Sequence, residues 1–329
     1  MNGETNMSFE GARGESLVGR SFDGFAVIDE VAWTGAATVY RAMQVDANSR
    51  IVALKVMDAL EQRLREEQGD SQNPMWREQR FSQVAKHPSL VRIFRTGRVP
   101  DGRYYAAMEF VEGMSVAEEL RHRGLIPWHE AVIVLEQLAA AVGVLHAAGI
   151  VHRDLKPENV LVRTSRTGAV RAKLIDFGIA KLAHQRDDID AGVDPKTLST
   201  PLILAPEVAR GLGTSLASDV YAIGALAYEM VVGRNILDLH NPTAQACVDR
   251  ILSDRPIPDV PLREAARELP DDLSALIERC LCRAPEERPR DGTALREALE
   301  PLAEQARSRA ERSPSLWSRL IGWLGRDAP

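Results

Sequence analysis

His152-Arg153-Asp154-Leu155-Lys156-Pro157-Glu158-Asn159, HRDLKPEN, is the stretch on which the reading of this chain turns. It sets a carboxylate, a cation and an amide within a few residues of one another. Asp176-Phe177-Gly178 follows 17 residues after Asn159, and Ala205-Pro206-Glu207 comes later. Upstream, the apolar and β-branched runs Phe25–Val31, Thr38–Tyr40 and Ile51–Val56 are separated by turn residues and predict antiparallel strands. Gln72–Ala85 reads as a helix ahead of Pro88. Leu90–Phe94 and Tyr104–Phe110 read as strands either side of a Pro100–Gly102 turn. Downstream the period changes: Val132, Leu135, Leu138, Val142 and Leu145 recur at helical steps. Asp219–Met230 is apolar nearly all round, the pattern of a helix in the middle of a lobe. A strand-rich small region thus precedes a larger helical one.

Composition narrows the classes. The 329 residues include 41 Lys+Arg and 47 Asp+Glu, net −6, and 45% are hydrophobic, enough for one large domain or two lobes and not the make-up of a disordered chain. The longest run without Asp, Glu, Lys or Arg, Gln137–His152, is 16 residues and contains Gly143, His146 and Gly149, so no transmembrane span is expected. The N-terminal residues lack the apolar core of a secretory signal. Cys247, Cys280 and Cys282 are odd in number and lack zinc-site spacing, which predicts reduced thiols and a cytoplasmic protein. The mild acidity argues against nucleic acid as a partner.

With those motifs in that order, the chain resembles the protein kinase superfamily over residues 20–302, closest in style to bacterial eukaryotic-like Ser/Thr protein kinases. The resemblance implies a two-lobed α+β fold. Residues 20–108 would form an N-lobe of antiparallel sheet plus one main helix, and 109–302 the hinge and a mostly helical C-lobe. Residues 1–19 are expected to be a flexible leader and 303–329 a basic, Trp-bearing tail. The implied activity is transfer of the ATP γ-phosphate to protein hydroxyls with Mg²⁺, or Mn²⁺ in its place. Such a reaction needs alignment and charge compensation more than covalent help. By the resemblance, Asp154 takes or orients the hydroxyl proton, Lys156 lies near the γ-phosphate, and Asn159 and Asp176 hold the metal. Lys55, in Val52-Ala53-Leu54-Lys55, would reach the α- and β-phosphates, paired with Glu78, nine residues before His87. Val39, Ala53, Met108 and Leu161 would wall the adenine, with Glu109 to Val111 as the hinge. Thr200 would contact Asp154 and Lys156. Asp219 would tie down the turn at Arg153, and Glu207 with Arg288 would clamp the segment end to the large lobe.

Two segments depart from the family pattern. Set against Val39, the glycine positions of the phosphate-covering loop fall on Ala32, Thr34 and Ala37, leaving only Gly35. Glycine allows close approach of amide groups to phosphate oxygens, so weaker ATP affinity or slower turnover is expected than with a full glycine loop. Between Leu182 and Pro195 there is no Ser, Thr or Tyr, but there are Asp187, Asp188, Asp190 and Asp194. Asp194 is the candidate to stand in part for a phosphate toward Arg153.

The tail, with five Arg and three acids, places Leu316, Leu320, Trp323 and Leu324 on one helical face, so residues 313–325 are expected to contact a partner protein or a membrane surface. Against the active kinase stand a pseudokinase that binds nucleotide weakly and docks partners, and a small-molecule kinase of the same fold. The survival of Lys55, Glu78, Asp154, Asn159 and Asp176 favours the active kinase.

Overall fold

The computed structural model describes residues 14–34, 36–45, 49–59, 62, 83, 86–165, 168–176, 203–237, 239 and 243–312. The chain divides into two compact units. One comprises Met1–Lys86, Val91–Val111 and Ile179–His184, and the other His87–Leu90, Glu112–Gly178 and Gln185–Pro329.

The first unit is built on an antiparallel sheet in the order β1-β2-β3-β4-β6-β5. The strands are β1 (Ser21–Phe22), β2 (Phe25–Trp33), β3 (Ala37–Gln44), β4 (Arg50–Met57), β5 (Ile93–Arg98) and β6 (Tyr104–Glu109). Side chains alternate across a strand, and the register sorts them. Tyr40, Leu54 and Ala107 pair across β3, β4 and β6, as do Thr38, Val56 and Tyr105. Their face carries the apolar core, with Phe25, Tyr40, Leu54, Val56 and Tyr105 all buried. Phe22 and Phe25 meet the Tyr105 ring edge-on at 5.6 and 5.8 Å, a favoured aromatic arrangement.

The end of the expected leader is corrected here. Leu17 is 1% exposed and belongs to this core. The Gly19 amide donates to Val27 O, and the Val27 amide to Arg20 O. A nearly buried Arg103 chelates Asp101 and donates to Glu15 O at 2.6 Å, which fixes the chain from residue 15. The strand expected over Leu90–Phe94 begins at Ile93. Leu90 instead forms a parallel bridge with Leu174 in the second unit. The helix expected over 72–85 lies outside the described residues, apart from Gln83.

The second unit contains, among the described residues, α1 (Val116–Arg123), α2 (Trp128–Ala147), α3 (Pro206–Ala209), α4 (Leu216–Val232), α5 (Ala244–Leu252), α6 (Leu262–Ala265), α7 (Asp271–Cys280) and α8 (Gly292–Arg312). A small antiparallel sheet orders β7 (Met114–Ser115), β8 (Val160–Thr164) and β9 (Val170–Leu174). Ser115 starts α1 with a capping box: its hydroxyl accepts the Glu118 amide at 3.1 Å, and Glu118 Oε2 accepts the Ser115 amide at 2.7 Å. That reciprocity satisfies two end donors, and it holds the Glu118 carboxyl below its usual pKa.

The five apolar positions expected on α2 are all buried. This helix is the one among the described residues long and apolar enough to cross a membrane, but most of it is covered by the rest of the unit. α4 is buried nearly all round and ends at Gly233, whose φ of 79° suits a residue without Cβ. α8 runs through Leu302 to Arg312, so the expected tail begins as a continuation of this helix. Cys247, Cys280 and Cys282 are free thiols.

Candidate active site

Of the chemistry-bearing residues of the second unit, Asp154, Lys156 and Asn159 sit on the loop between α2 and β8, and Asp176 follows β9. Asp219, at the start of α4 and 1% exposed, organises that loop. Its Oδ2 accepts the His152 amide at 2.7 Å and its Oδ1 the Arg153 amide at 2.9 Å. Arg153 has φ of 72°, a costly region for a side chain with Cβ. The two amide bonds to one buried carboxylate hold it there, as the sequence reading expected.

His146 completes the anchor. Its Nδ1 accepts the Gly292 amide at 3.0 Å, so Nε2 carries the proton that is donated to Asp219 Oδ2, also at 3.0 Å. Burial pushes the His152 pKa down, against the pull of Asp219, Asp154 and Asp176. Its Nδ1 accepts the Asp154 amide at 3.3 Å.

Asp154, Lys156 and Asn159 form one cluster. Lys156 Nζ lies 3.1 Å from Asp154 Oδ2. Asn159 Nδ2 donates both to Asp154 O at 2.9 Å and to Asp154 Oδ2 at 3.0 Å. These bonds use both amide protons of Asn159, so its Oδ1 is the atom left to meet a cation.

Asp176 is brought to this cluster by the backbone. The Ile175 amide donates to Asn159 O at 2.9 Å, and the Leu174 amide to Ser89 O at 2.9 Å. Gln137 on α2 reinforces β9, donating to Val170 O at 3.0 Å and accepting the Ala172 amide at 3.1 Å. An amide oxygen and a carboxylate are hard donors, a set that suits a partly hydrated Mg²⁺ completed by phosphate oxygens. Leu161 lies on β8, paired with Ser115 and Lys173.

In the first unit, Lys55 is paired with Val39 and with Ala106, and Ala53 with Met108. Val39, Ala53, Lys55 and Met108 therefore share the sheet face opposite the apolar core. Lys55 is buried, although a lysine on a solvated face keeps its head in water. Ala32 faces Val39 across β2 and β3, beside a bulge at Glu30–Ala32. Glu109 ends β6 with its amide donating to Arg92 O at 2.8 Å, and Val111 follows. Gly35, Glu78, Thr200 and Asp194 lie outside the described residues.

Glu207 and Arg288 make the expected clamp. Arg288 Nη1 and Nη2 reach Glu207 Oε1 and Oε2 at 2.7 and 2.8 Å, with both side chains buried. Arg288 also donates to the carbonyls of Ala217, Cys282 and Arg283, so each of its five N–H groups has an acceptor.

Sequence reasoning missed His146 as a partner of Asp219, and missed Asp58. Both carried a signal: a histidine on an otherwise apolar helix face, and a carboxylate directly after a buried strand.

The family described as "Protein kinase domain" matches residues 33–300. Serine/threonine-protein kinase pkn3 of Myxococcus xanthus is 31% identical over 277 residues, 83% of this chain and 49% of that protein. Serine/threonine-protein kinase PknL of Mycobacterium tuberculosis is 34% identical over 285 residues, 85% of this chain and 66% of that protein. PknK of the same organism is 30% identical over 282 residues, 84% of this chain and 23% of that protein. The chain thus spans from about a quarter to two thirds of the length of these relatives.

Proposed function

The chain belongs to the protein kinase family, with serine/threonine-protein kinases among its relatives, and on that premise we propose that it is catalytically active. It transfers the γ-phosphate of ATP to a serine or threonine hydroxyl of a protein, using Mg²⁺ or, in its place, Mn²⁺. The observation that carries the proposal is the double hold on Asp154 Oδ2, by Lys156 at 3.1 Å and Asn159 Nδ2 at 3.0 Å. Two donors fix the carboxylate plane, and a fixed acceptor is what in-line transfer to a hydroxyl requires.

In this mechanism the Asp154 carboxylate accepts the hydroxyl proton as the oxygen attacks the γ-phosphorus, the bond to the β,γ-bridging oxygen breaks and ADP leaves. Lys156 balances charge on the transferred group, and Lys55 orients the α- and β-phosphates. Asn159 Oδ1 and the Asp176 carboxylate would hold the metal, which neutralises phosphate charge when bound. Glu78 and Thr200 keep the roles the resemblance gives them. The cytoplasm is the proposed location, supported by the three free thiols. Residues 313–325 are proposed to contact a partner protein or a membrane surface.

The pseudokinase is retained as a second reading because Ala32, Thr34 and Ala37 replace the loop glycines. Radiolabelled ATP with a generic basic protein substrate separates the two. Label in wild type and none with Asp154→Asn supports transfer, whereas wild type no better than that variant favours the pseudokinase.

A further inference from the structure

The loop that lost its glycines is tied down by a side chain outside it. Asp58 follows β4 and is 1% exposed. Its Oδ2 accepts the Trp33 indole N–H at 2.7 Å, and its Oδ1 accepts the Thr38 hydroxyl at 3.2 Å. Its own amide donates to Ala36 O at 2.9 Å. Trp33 and Thr38 are the cross-strand pair from which the β2–β3 loop departs. One carboxylate thus grips both feet of the loop, and its backbone grips the middle. Within the loop, the Thr34 amide and hydroxyl both donate to Ala37 O, at 2.9 and 3.1 Å.

The register fixes the direction of the grip. Thr38 pairs with Val56, and Asp58 is two residues beyond Val56, so all three belong to the core side of the sheet. Lys55 and Val39 pair on the opposite side. The anchor therefore leaves the nucleotide-facing side clear.

We propose that Asp58 is a positioning residue for nucleotide binding, presetting residues 32–34 and 36–38 through Trp33, Ala36 and Thr38. A glycine loop reaches phosphate by backbone freedom. The three pattern positions carry a Cβ here, and Trp33, Thr34, Ala36 and Thr38 are hydrogen-bonded in place, so less conformational entropy is lost at these residues when phosphate binds. The inference rests on the reading of the chain as an ATP-binding kinase.

The test is the Kd for ATP, measured by displacement of a fluorescent ATP analogue from the full chain, for wild type, Asp58→Asn, Trp33→Phe and the double variant. Asn offers one acceptor oxygen to two donors, and Phe keeps an aromatic ring but removes the indole N–H together with its five-membered ring. Each single variant is expected to raise Kd about 5–10-fold, the equivalent of losing about one hydrogen bond. The double variant is expected to be no weaker than the worse single, because both act through one contact. In steady state the KM for ATP should rise while kcat changes less than about twofold, a split that general destabilisation does not produce. Wild type that binds ATP alongside Trp33→Phe and Asp58→Asn with unchanged Kd overturns the anchor and leaves the kinase reading standing. Should Asp58→Asn fail to fold, Trp33→Phe decides. Wild type that binds no nucleotide removes the kinase reading and the inference with it.

Discussion

Gly143 on α2 and Gly292 at the start of α8 meet backbone to backbone: a Cβ placed on Gly292 would collide with the Gly143 nitrogen and lie 2.8 Å from Ala139 O. Neither neighbour is a side chain that can turn away. The same Gly292 donates its amide to His146, so the crossing of the two helices also sets the ring that supports Asp219. Gly292→Ala is expected to cost about 1–3 kcal/mol, the range for overpacking. It should also lower kcat, because the displaced amide releases His146. Urea denaturation and initial rates on the same preparation check both effects.

Asp219 holds two amides and an imidazole N–H. Asn in its place keeps one acceptor oxygen and points N–H groups at donors. Asp219→Asn should lose about 2–4 kcal/mol of stability, since hydrogen bonds to a charged group count for more than neutral ones. kcat should fall at least about tenfold, equivalent to about 1.4 kcal/mol, with a smaller change in the KM for ATP. Steady-state kinetics at saturating protein substrate separate the two constants.

The Glu207–Arg288 clamp predicts that changing either partner is costly, even where the charge is kept. Glu207→Gln strands a buried guanidinium and should cost about 3–5 kcal/mol. Arg288→Lys retains the charge but cannot serve five acceptors, and should cost nearly as much. Thermal melting of both variants beside wild type tests this, and a Lys variant that melts with wild type would show that charge alone suffices.

Glu229 on α4 gives a pH dependence. Burial, helped by repulsion from Glu158, raises its pKa from 4.5 to about 7. A folded pKa above the unfolded one means that the native state holds the extra proton between those values. Stability should therefore fall as pH rises from about 4.5 to 7, in total by on the order of 3 kcal/mol. Glu229→Gln should remove this slope, gaining on wild type at pH 8 and matching it near pH 4. Urea melts at the two pH values measure the difference.

The sequence made some of this legible and hid the rest for definable reasons. HRDLKPEN placed Asp154, Lys156 and Asn159 within hydrogen-bonding reach because five residues of chain span so little distance. The apolar periods of α2 and α4 are local, and both helices stand where expected. Leu17 looked like part of a leader because one apolar residue makes no period; its burial depends on a sheet assembled from distant strands. Asp58 showed as a carboxylate after a buried strand, but its role was hidden for a related reason. Its partners Trp33 and Thr38 lie 25 and 20 residues away, and only the β2–β3–β4 register brings them together. His146 could be seen as an oddity in an apolar run, but not as the link from Gly292 to Asp219, which spans 146 residues of chain.

Gln137 has a consequence beyond holding β9. An edge strand exposes a row of amide and carbonyl groups on which another polypeptide can template itself. By occupying Val170 O and the Ala172 amide, the Gln137 carboxamide acts as a counterfeit strand one residue long, and it withdraws that edge from recruitment. A chain carrying Gln137→Ala would keep its fold largely intact and lose this partner of Val170 O and the Ala172 amide, while Ser89 still holds the Leu174 amide. Its self-association on concentration, where wild type stays dispersed, would be the visible trace of that protection.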